Sequence, residues 1–360
     1  MKATLSPSSR QKFKAAALIG SGISSLAKRR SGQEASIVTF HGLCDGMGDE
    51  KVLDWSLHLP VEIFRRECSF LASNYHVISM RDLVAAIERG DGLEPNSVLL
   101  TFDDGYASNY HLALPILKEF NLPATVFVTT GFLDGTDRLW FQRLDLAFGM
   151  TSRPHLDWEF EHGKDRLPLT TRAQRQEALV KLLPELKRMP DEDFLSEIDR
   201  VERVLDVAPL PPGELPAPMR ALTWDQAREM KASGLVEIGA HTHTHPILAR
   251  CSANAIQAEI TNCRDRITAE LGEAPFVFAY PNGGPGDYTK ECVTALKDAG
   301  FTAACSMFNS RVTLESSLLE LPRYGTPESV WEAEATVSGA FEAVKTWRRS
   351  ASNTFMSFIS

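Results

Sequence analysis

The chain has 360 residues, is 43% hydrophobic and carries a formal charge of −9. That is enough apolar material for one large core, and the acidic balance disfavours nucleic acid as a partner. Charge is unevenly spread: residues 1–30 hold Lys2, Arg10, Lys12, Lys14, Lys28, Arg29 and Arg30 with no acid, +7 by count, so the rest carries −9 − 7 = −16. The basic arm, residues 1–34, comes first. Its stretch Ala15–Ala27 is mildly apolar and far short of a membrane span. Lys28-Arg29-Arg30 directly after it argues against a secretory leader. The arm reads as a basic helix touching an anionic membrane surface, with an arm packed on the body as the alternative.

Residues 35–330 read as a single α/β unit. Strand-like runs follow one another at Ser36–Phe40, Tyr75–Ser79, Val98–Phe102, Ala124–Thr129, Val236–Ala240, Phe276–Tyr280, Phe301–Cys305 and Leu318–Arg323. Helical spacing lies between several, as in Met80–Arg89 closed by Gly90 and Thr289–Ala299 closed by Gly300. This alternation predicts βαβ units and a mostly parallel sheet. Residues 134–220 interrupt it with aromatic Trp140, Phe141 and Phe148, then charged helical stretches at Gln174–Arg188 and Phe194–Leu205. They read as a helical cap beside the active-site mouth, the alternative being an excursion packed only on outer helices. Residues 331–360 read as a C-terminal tail. Cys44, Cys68, Cys251, Cys263, Cys292 and Cys305 show no Cys-x-x-Cys spacing, which fits free thiols in a reducing, cytoplasmic setting, at most membrane-peripheral.

Two short strings carry the chemistry. Thr101-Phe102-Asp103-Asp104-Gly105 puts two carboxylates directly after the apolar run Val98-Leu99-Leu100. His241-Thr242-His243-Thr244-His245-Pro246 follows the run Leu235–Ala240. Alone, the first is compatible with a turn whose aspartates cap a helix, and the second with a polar loop. Both sit at the C-terminal ends of predicted strands, the edge where parallel α/β sheets do their chemistry. Carboxylate and imidazole together are the donors a borderline divalent metal accepts. A mononuclear site with a spare carboxylate beside it is the apparatus of metal-assisted hydrolysis.

The paired strings resemble the first two signature motifs of the polysaccharide deacetylases, the NodB-homology group called carbohydrate esterase family 4. The resemblance runs from about Ser36 to Arg323, broken near 134–220. It implies a distorted, incomplete (β/α) barrel of about seven parallel strands. It also implies hydrolytic removal of acetyl groups from an N-acetylated sugar, as in a surface polysaccharide or its precursor. One divalent ion is implied, zinc first, with Co2+, Ni2+ or Mn2+ as alternatives. By position, Asp103 becomes the general base towards a metal-bound water, while Asp104, His241 and His245 become the metal ligands. His243 falls on a variable position and reads as a loop residue.

Two departures follow. Where the family has Arg-x-Pro-Tyr, this chain has Ala279-Tyr280-Pro281-Asn282, so the arginine that orients the base is missing. The Asn282 backbone N–H still serves as an oxyanion donor, because a backbone donor survives substitution of the side chain, and Tyr280 is grouped with it as substrate-binding. Where the family offers its histidine acid, Leu321-Pro322-Arg323-Tyr324 offers Arg323, which stays charged and cannot donate near neutrality. Arg323 then pairs with Asp103 or binds an anionic group of the substrate. His41, ending Ile37-Val38-Thr39-Phe40, resembles the first strand of the exopolysaccharide-deacetylase branch and is the substitute acid, the alternative being a structural histidine. Other readings are a non-catalytic carbohydrate-binding barrel and an amidohydrolase-type metallohydrolase, the latter lacking the required histidines downstream of His245.

Overall fold

A computed structural model describes residues 7–30, 32–161 and 163–344. The apolar runs form strands in chain order: β1 (Ala35–Phe40), β2 (Gly42–Cys44), β3 (His58–Pro60), β4 (His76–Val77), β5 (Ser97–Phe102), β6 (Ala124–Val128), β7 (His155–Phe160), β8 (Gly163–Pro168), β9 (Val236–Ala240), β10 (Val277–Ala279) and β11 (Ala303–Cys305). Seven of them build one parallel sheet in the order β1-β5-β6-β9-β10-β11, with β4 added beside β5. The sheet curls into an incomplete barrel. The predicted eighth run, Leu318–Arg323, is not a strand: it opens with the 3-10 turn Leu318–Glu320, and its backbone meets the sheet at the isolated bridges Cys305↔Leu321 and Val38↔Tyr324. Pro322 between those bridges has no N–H to give to a ladder.

Helices on the outside are α3 (Val61–Asn74), α4 (Met80–Arg89), α5 (Leu114–Phe120), α6 (Thr130–Asp134), α10 (Trp224–Ala232), α11 (Ala253–Leu271) and α12 (Lys290–Asp298). Gly90 ends α4 in the left-handed conformation, as expected from its position. Side chains alternate along the strands with period two. Val38, Phe40, Leu100, Phe102 and Val126 join the outer helices in one core, whereas Ile37, Leu99, Phe127, Val277 and Cys305 form a second. Residues of the second set continue upward as Ile37-x-Thr39-x-His41 and Leu99-x-Thr101-x-Asp103. The strand pleat thus aims His41 and Asp103 to the same face at the C-terminal edge. Gly239 lets β9 approach closely here, since a Cβ would lie 2.5 Å from the Phe127 ring.

The insertion is built from α7 (Trp140–Met150), the β7–β8 hairpin, α8 (Arg172–Leu186) and α9 (Asp191–Leu205). It has its own core around Trp140, Phe148, Leu182 and Ile198. The two expected helices are present, but the antiparallel hairpin was not foreseen in a segment read as helical. Its signal was the alternation Leu156, Trp158, Phe160 buried against exposed Asp157 and Glu159, hidden by the many charges around it.

The basic arm forms α1 (Pro7–Gly20) and α2 (Ile23–Arg30), and α1 packs against α13 (Val330–Val337). Lys28 donates to the Asn74 carbonyl at the end of α3 (2.6 Å) and lies over the Tyr75 ring. The region read as a tail therefore begins as a packed helix, with Ala333, Ala335 and Val337 buried. Lys2 and residues 345–360 of the expected tail lie outside the described residues. Among the described residues no helix is long and apolar enough to cross a membrane. All six cysteines are free thiols.

Candidate metal centre and its cavity

Register places the centre. Phe40 pairs with Phe102, and the Asp103 N–H donates to the Phe40 carbonyl (2.9 Å), so His41 and Asp103 leave adjacent strands side by side. Across the sheet, the His241 N–H donates to the Val128 carbonyl, bringing the histidine string against the same edge. Ligand atoms of Asp104, His241 and His245 lie within 4.8 Å of one another, and all three residues are buried. The Nε2 atoms of His241 and His245 stand 3.5 and 3.4 Å from the same oxygen, Asp104 Oδ1.

These residues fit a divalent ion. His241 Nδ1–H donates to the Ala279 carbonyl (2.7 Å), which leaves Nε2 as the free lone pair. Burial holds His245 down at about 4, so its imidazole is neutral and ready to ligate. Burial opposes the charge on Asp104, yet the two histidines hold its carboxyl well below the usual range. Asp104 Oδ1 is the oxygen that faces both imidazoles. A three-residue set leaves coordination positions open, the pattern of a catalytic rather than a structural site.

The backbone around the centre is strained. Asp104 (φ 73°), Thr242 (66°), His245 (64°) and Asn282 (58°) are all left-handed without being glycine. For a β-branched residue such as Thr242 this is unusual, and such strain concentrates where surrounding contacts over-determine it. Here the contacts are specific. The Thr242 hydroxyl accepts from the His245 N–H (3.0 Å). Glu259 of α11 accepts from the N–H groups of His243 (2.8 Å) and Thr244 (2.9 Å) and from the Thr244 hydroxyl (2.7 Å). Sequence reading had no signal for Glu259, sixteen residues away from the loop it clamps.

Of the two roles expected for Arg323, the structure shows the pairing with Asp103 and not the binding of substrate. Arg323 is fully buried and forks onto Asp103, with both nitrogen-to-oxygen distances 2.7 Å. Its Nη1 also donates to the Thr101 hydroxyl (3.2 Å) and its Nε to the Ser306 carbonyl (3.3 Å). Burial alone would raise the Asp103 carboxyl, but Arg323 and then His241 hold it below the usual range. The orienting arginine missing at Ala279 is thus supplied from the segment after β11. Tyr280 also departs from expectation: its hydroxyl donates to the Leu319 carbonyl (2.9 Å) and its ring stacks on Tyr288 (3.9 Å), away from the centre.

His41 and Asn282 do reach a cavity of about 290 Å³ over the three ligands. His243 does not: its Nδ1 meets the Thr130 hydroxyl at 2.8 Å outside that cavity. His58, at the start of β3, was missed and lines the cavity too; burial and then His41 hold it down at about 4. The insertion forms one wall through Trp140, Phe141, Gln142, Leu179 and Lys187. Trp140 Nε1–H donates to the His245 carbonyl (3.2 Å), and Asp145 accepts from the N–H groups of Leu53 and Asp54. Lys187 donates to Asn282 Oδ1 (3.2 Å). The segment therefore touches the centre itself.

A half-barrel of parallel strands with an Asp-His-His cluster and a paired carboxylate at its C-terminal edge defines the architectural class. Residues 90–304 match the family described as polysaccharide deacetylase, more than half of the chain, and the protein belongs to that family. Among curated relatives, the poly-beta-1,6-N-acetyl-D-glucosamine N-deacetylase of Escherichia coli (strain K12) is 31% identical over 88 residues, 24% of this chain and 12% of that enzyme. YxkH of Bacillus subtilis (strain 168), itself only provisionally assigned as a polysaccharide deacetylase, is 29% identical over 93 residues, 26% of this chain and 30% of its own length. The chain thus matches less than a third of either relative. The solved Streptococcus pyogenes deacetylase PplD, in complex with acetate, superposes with a TM-score of 0.56 at 18% identity, over 84% of this chain and 98% of that one, a likeness of fold.

Proposed function

We propose that the protein is a metal-dependent N-deacetylase acting on an N-acetylated sugar of a surface polysaccharide or its precursor. The observation that carries this reading is the coincidence, in one cavity, of the Asp104–His241–His245 cluster with an ionised, arginine-held Asp103. Asp104, His241 and His245 would hold the ion, zinc by the preference of this donor set. When bound it supplies Lewis acidity to an acetyl carbonyl and lowers the pKa of a coordinated water towards ~7.

The chain's own residues do the rest. Asp103, fixed in orientation by the fork of Arg323, takes the proton of the attacking water. The Asn282 backbone N–H donates to the oxygen on which negative charge develops. The departing amine needs a proton. Two imidazoles in the cavity besides the ligands could supply it, and His58, held at about 4, is already deprotonated near neutrality. That leaves His41 as the acid. Trp140 and Phe141 make part of the cavity wall apolar.

The test is acetate release from a β-1,6-linked N-acetylglucosamine pentamer, before and after chelation and after zinc is restored. Activity should vanish with the chelator and return with zinc, and His241→Ala and His245→Ala should lose the bound ion by metal analysis. Undiminished release after chelation, or full metal occupancy in either variant, would sink the proposal.

A further inference from the structure

Among the buried polar atoms of the cavity that lack a hydrogen-bond partner are Asp104 Oδ2, the Tyr106 hydroxyl and Gln142 Oε1. Tyr106 is fully buried, Gln142 is 3% exposed, and all three residues line the catalytic cavity. Buried polar atoms without partners are uncommon in folded proteins and call for an explanation.

The orientation of Gln142 is decided by its other end. Its side-chain nitrogen donates to the Met219 carbonyl (3.3 Å), and a carbonyl can only accept, so the amide cannot be turned over. The acceptor oxygen is thereby turned away from Met219, in a residue that lines the cavity. The Tyr106 hydroxyl, a donor, is flanked by both Asp104 and Gln142. A phenol has a single proton to give. Asp104 presents Oδ1 to the two histidines, so its Oδ2 needs that proton, and a hydrogen bond to a carboxylate is stronger than one to an amide. One donor shared between two acceptors leaves Gln142 Oε1 open.

We propose that Gln142 is a specificity-determining residue for the reaction above, its oxygen accepting a hydrogen bond from a donor of the bound saccharide beside the acetyl group. The donor is the acetamido N–H or a neighbouring ring hydroxyl. This rests on the deacetylase reading. It gives the insertion a direct part in recognition, because α7 carries Gln142 while the barrel carries the ligands. A sugar lacking the donor would leave the amide oxygen buried and unpaired, the kind of mismatch that discriminates strongly between substrates.

The experiment compares the wild type with Gln142→Met, which removes the acceptor and the donor to Met219 at similar volume, and Gln142→Glu assayed where its buried carboxyl is protonated, which keeps both. On the β-1,6-linked N-acetylglucosamine pentamer, Gln142→Met should lose about 10–100-fold in kcat/KM, the scale of one unpaired buried acceptor. Hydrolysis of 4-nitrophenyl acetate, which has neither donor, should fall far less than hydrolysis of the saccharide, and protonated Gln142→Glu should recover most of the loss. An O-acetylated analogue separates the donors: a loss confined to the amide substrate names the N–H, and a loss on both names a hydroxyl. Binding of the pentamer to the metal-free protein, followed by calorimetry, should weaken in Gln142→Met alone. Equal losses on ester and saccharide, or unchanged saccharide binding (the result if Tyr106 closes onto Gln142), would overturn the inference. If the wild type cleaves the ester but no acetamido sugar, the functional reading fails instead, and the binding comparison still decides the role of Gln142.

Discussion

Asp103 and Asp104 are neighbours in the chain and face different partners. Asp103 faces the Arg323 fork, while the left-handed backbone at Asp104 swings its carboxylate to the histidines. Asp103→Asn should keep the metal and lose at least ~10²-fold in kcat, the scale of a removed general base, whereas Asp104→Asn should lose the metal. Metal analysis beside kinetics checks both, and exchanged phenotypes would reverse the assignment. His41→Ala should retain its metal and lose roughly 10²–10⁴-fold in kcat on an acetamido sugar, with a smaller effect on an activated ester whose leaving group needs no proton. Equal rates in variant and parent on the sugar would remove His41 from the proposal. At this scale the strings were legible because ligand types and strand ends coincide in the chain. The pairing of Asp103 with Arg323 stood only as one of two alternatives, since Arg323 lies 220 positions away and only the curl of the sheet brings it to Asp103.

The elements that matter most to the centre are helices that hold loops rather than strands that carry ligands. Glu259, on α11, makes three hydrogen bonds to the stretch between His241 and His245. That loop includes a left-handed threonine, so the clamp supports a conformation the backbone does not favour. Glu259→Ala should keep the fold by circular dichroism and weaken zinc about 10–100-fold, the usual range for an outer-shell partner, measured by competition with a chromophoric chelator. Wild-type affinity would mean that the loop holds itself. The insertion teaches the same lesson. Its helices were legible from spacing, and its hairpin was present as a two-residue alternation. The Trp140 N–H on the His245 carbonyl links residues 105 positions apart, beyond any local pattern.

At the scale of the molecule, α13 and the basic arm close one side of the barrel, and a buried carboxyl sits at that seam. Glu67 of α3 is 1% exposed with neither carboxylate oxygen partnered, and burial, then Glu332 of α13, push it up to about 9. A carboxyl raised above its unfolded value of 4.5 stays protonated in the fold while the unfolded chain releases its proton. Its contribution is therefore full below about 4.5 and is lost as the pH climbs towards about 9. Each pH unit within that window costs up to ~1.4 kcal/mol. Glu67→Gln should match the parent near pH 5 and melt higher at pH 8, and parallel melting curves across this range would refute the assignment.

Composition and pattern alone determined a parallel α/β sheet, the order of its strands in the chain and the two strings that meet at its C-terminal edge. Those features are local: apolar period, glycine caps and ligand types are written within a few residues. Tertiary structure decided what closes the circle. Pro322 denies the last run a ladder, so the segment bearing Arg323 crosses as bridges and delivers a guanidinium to Asp103. Tyr280 turns to Leu319, and Gln142 and Lys187 arrive from the insertion. Each depends on contacts between segments far apart in the chain, where the register and curl of the sheet, rather than the neighbouring residues, fix the direction of a side chain.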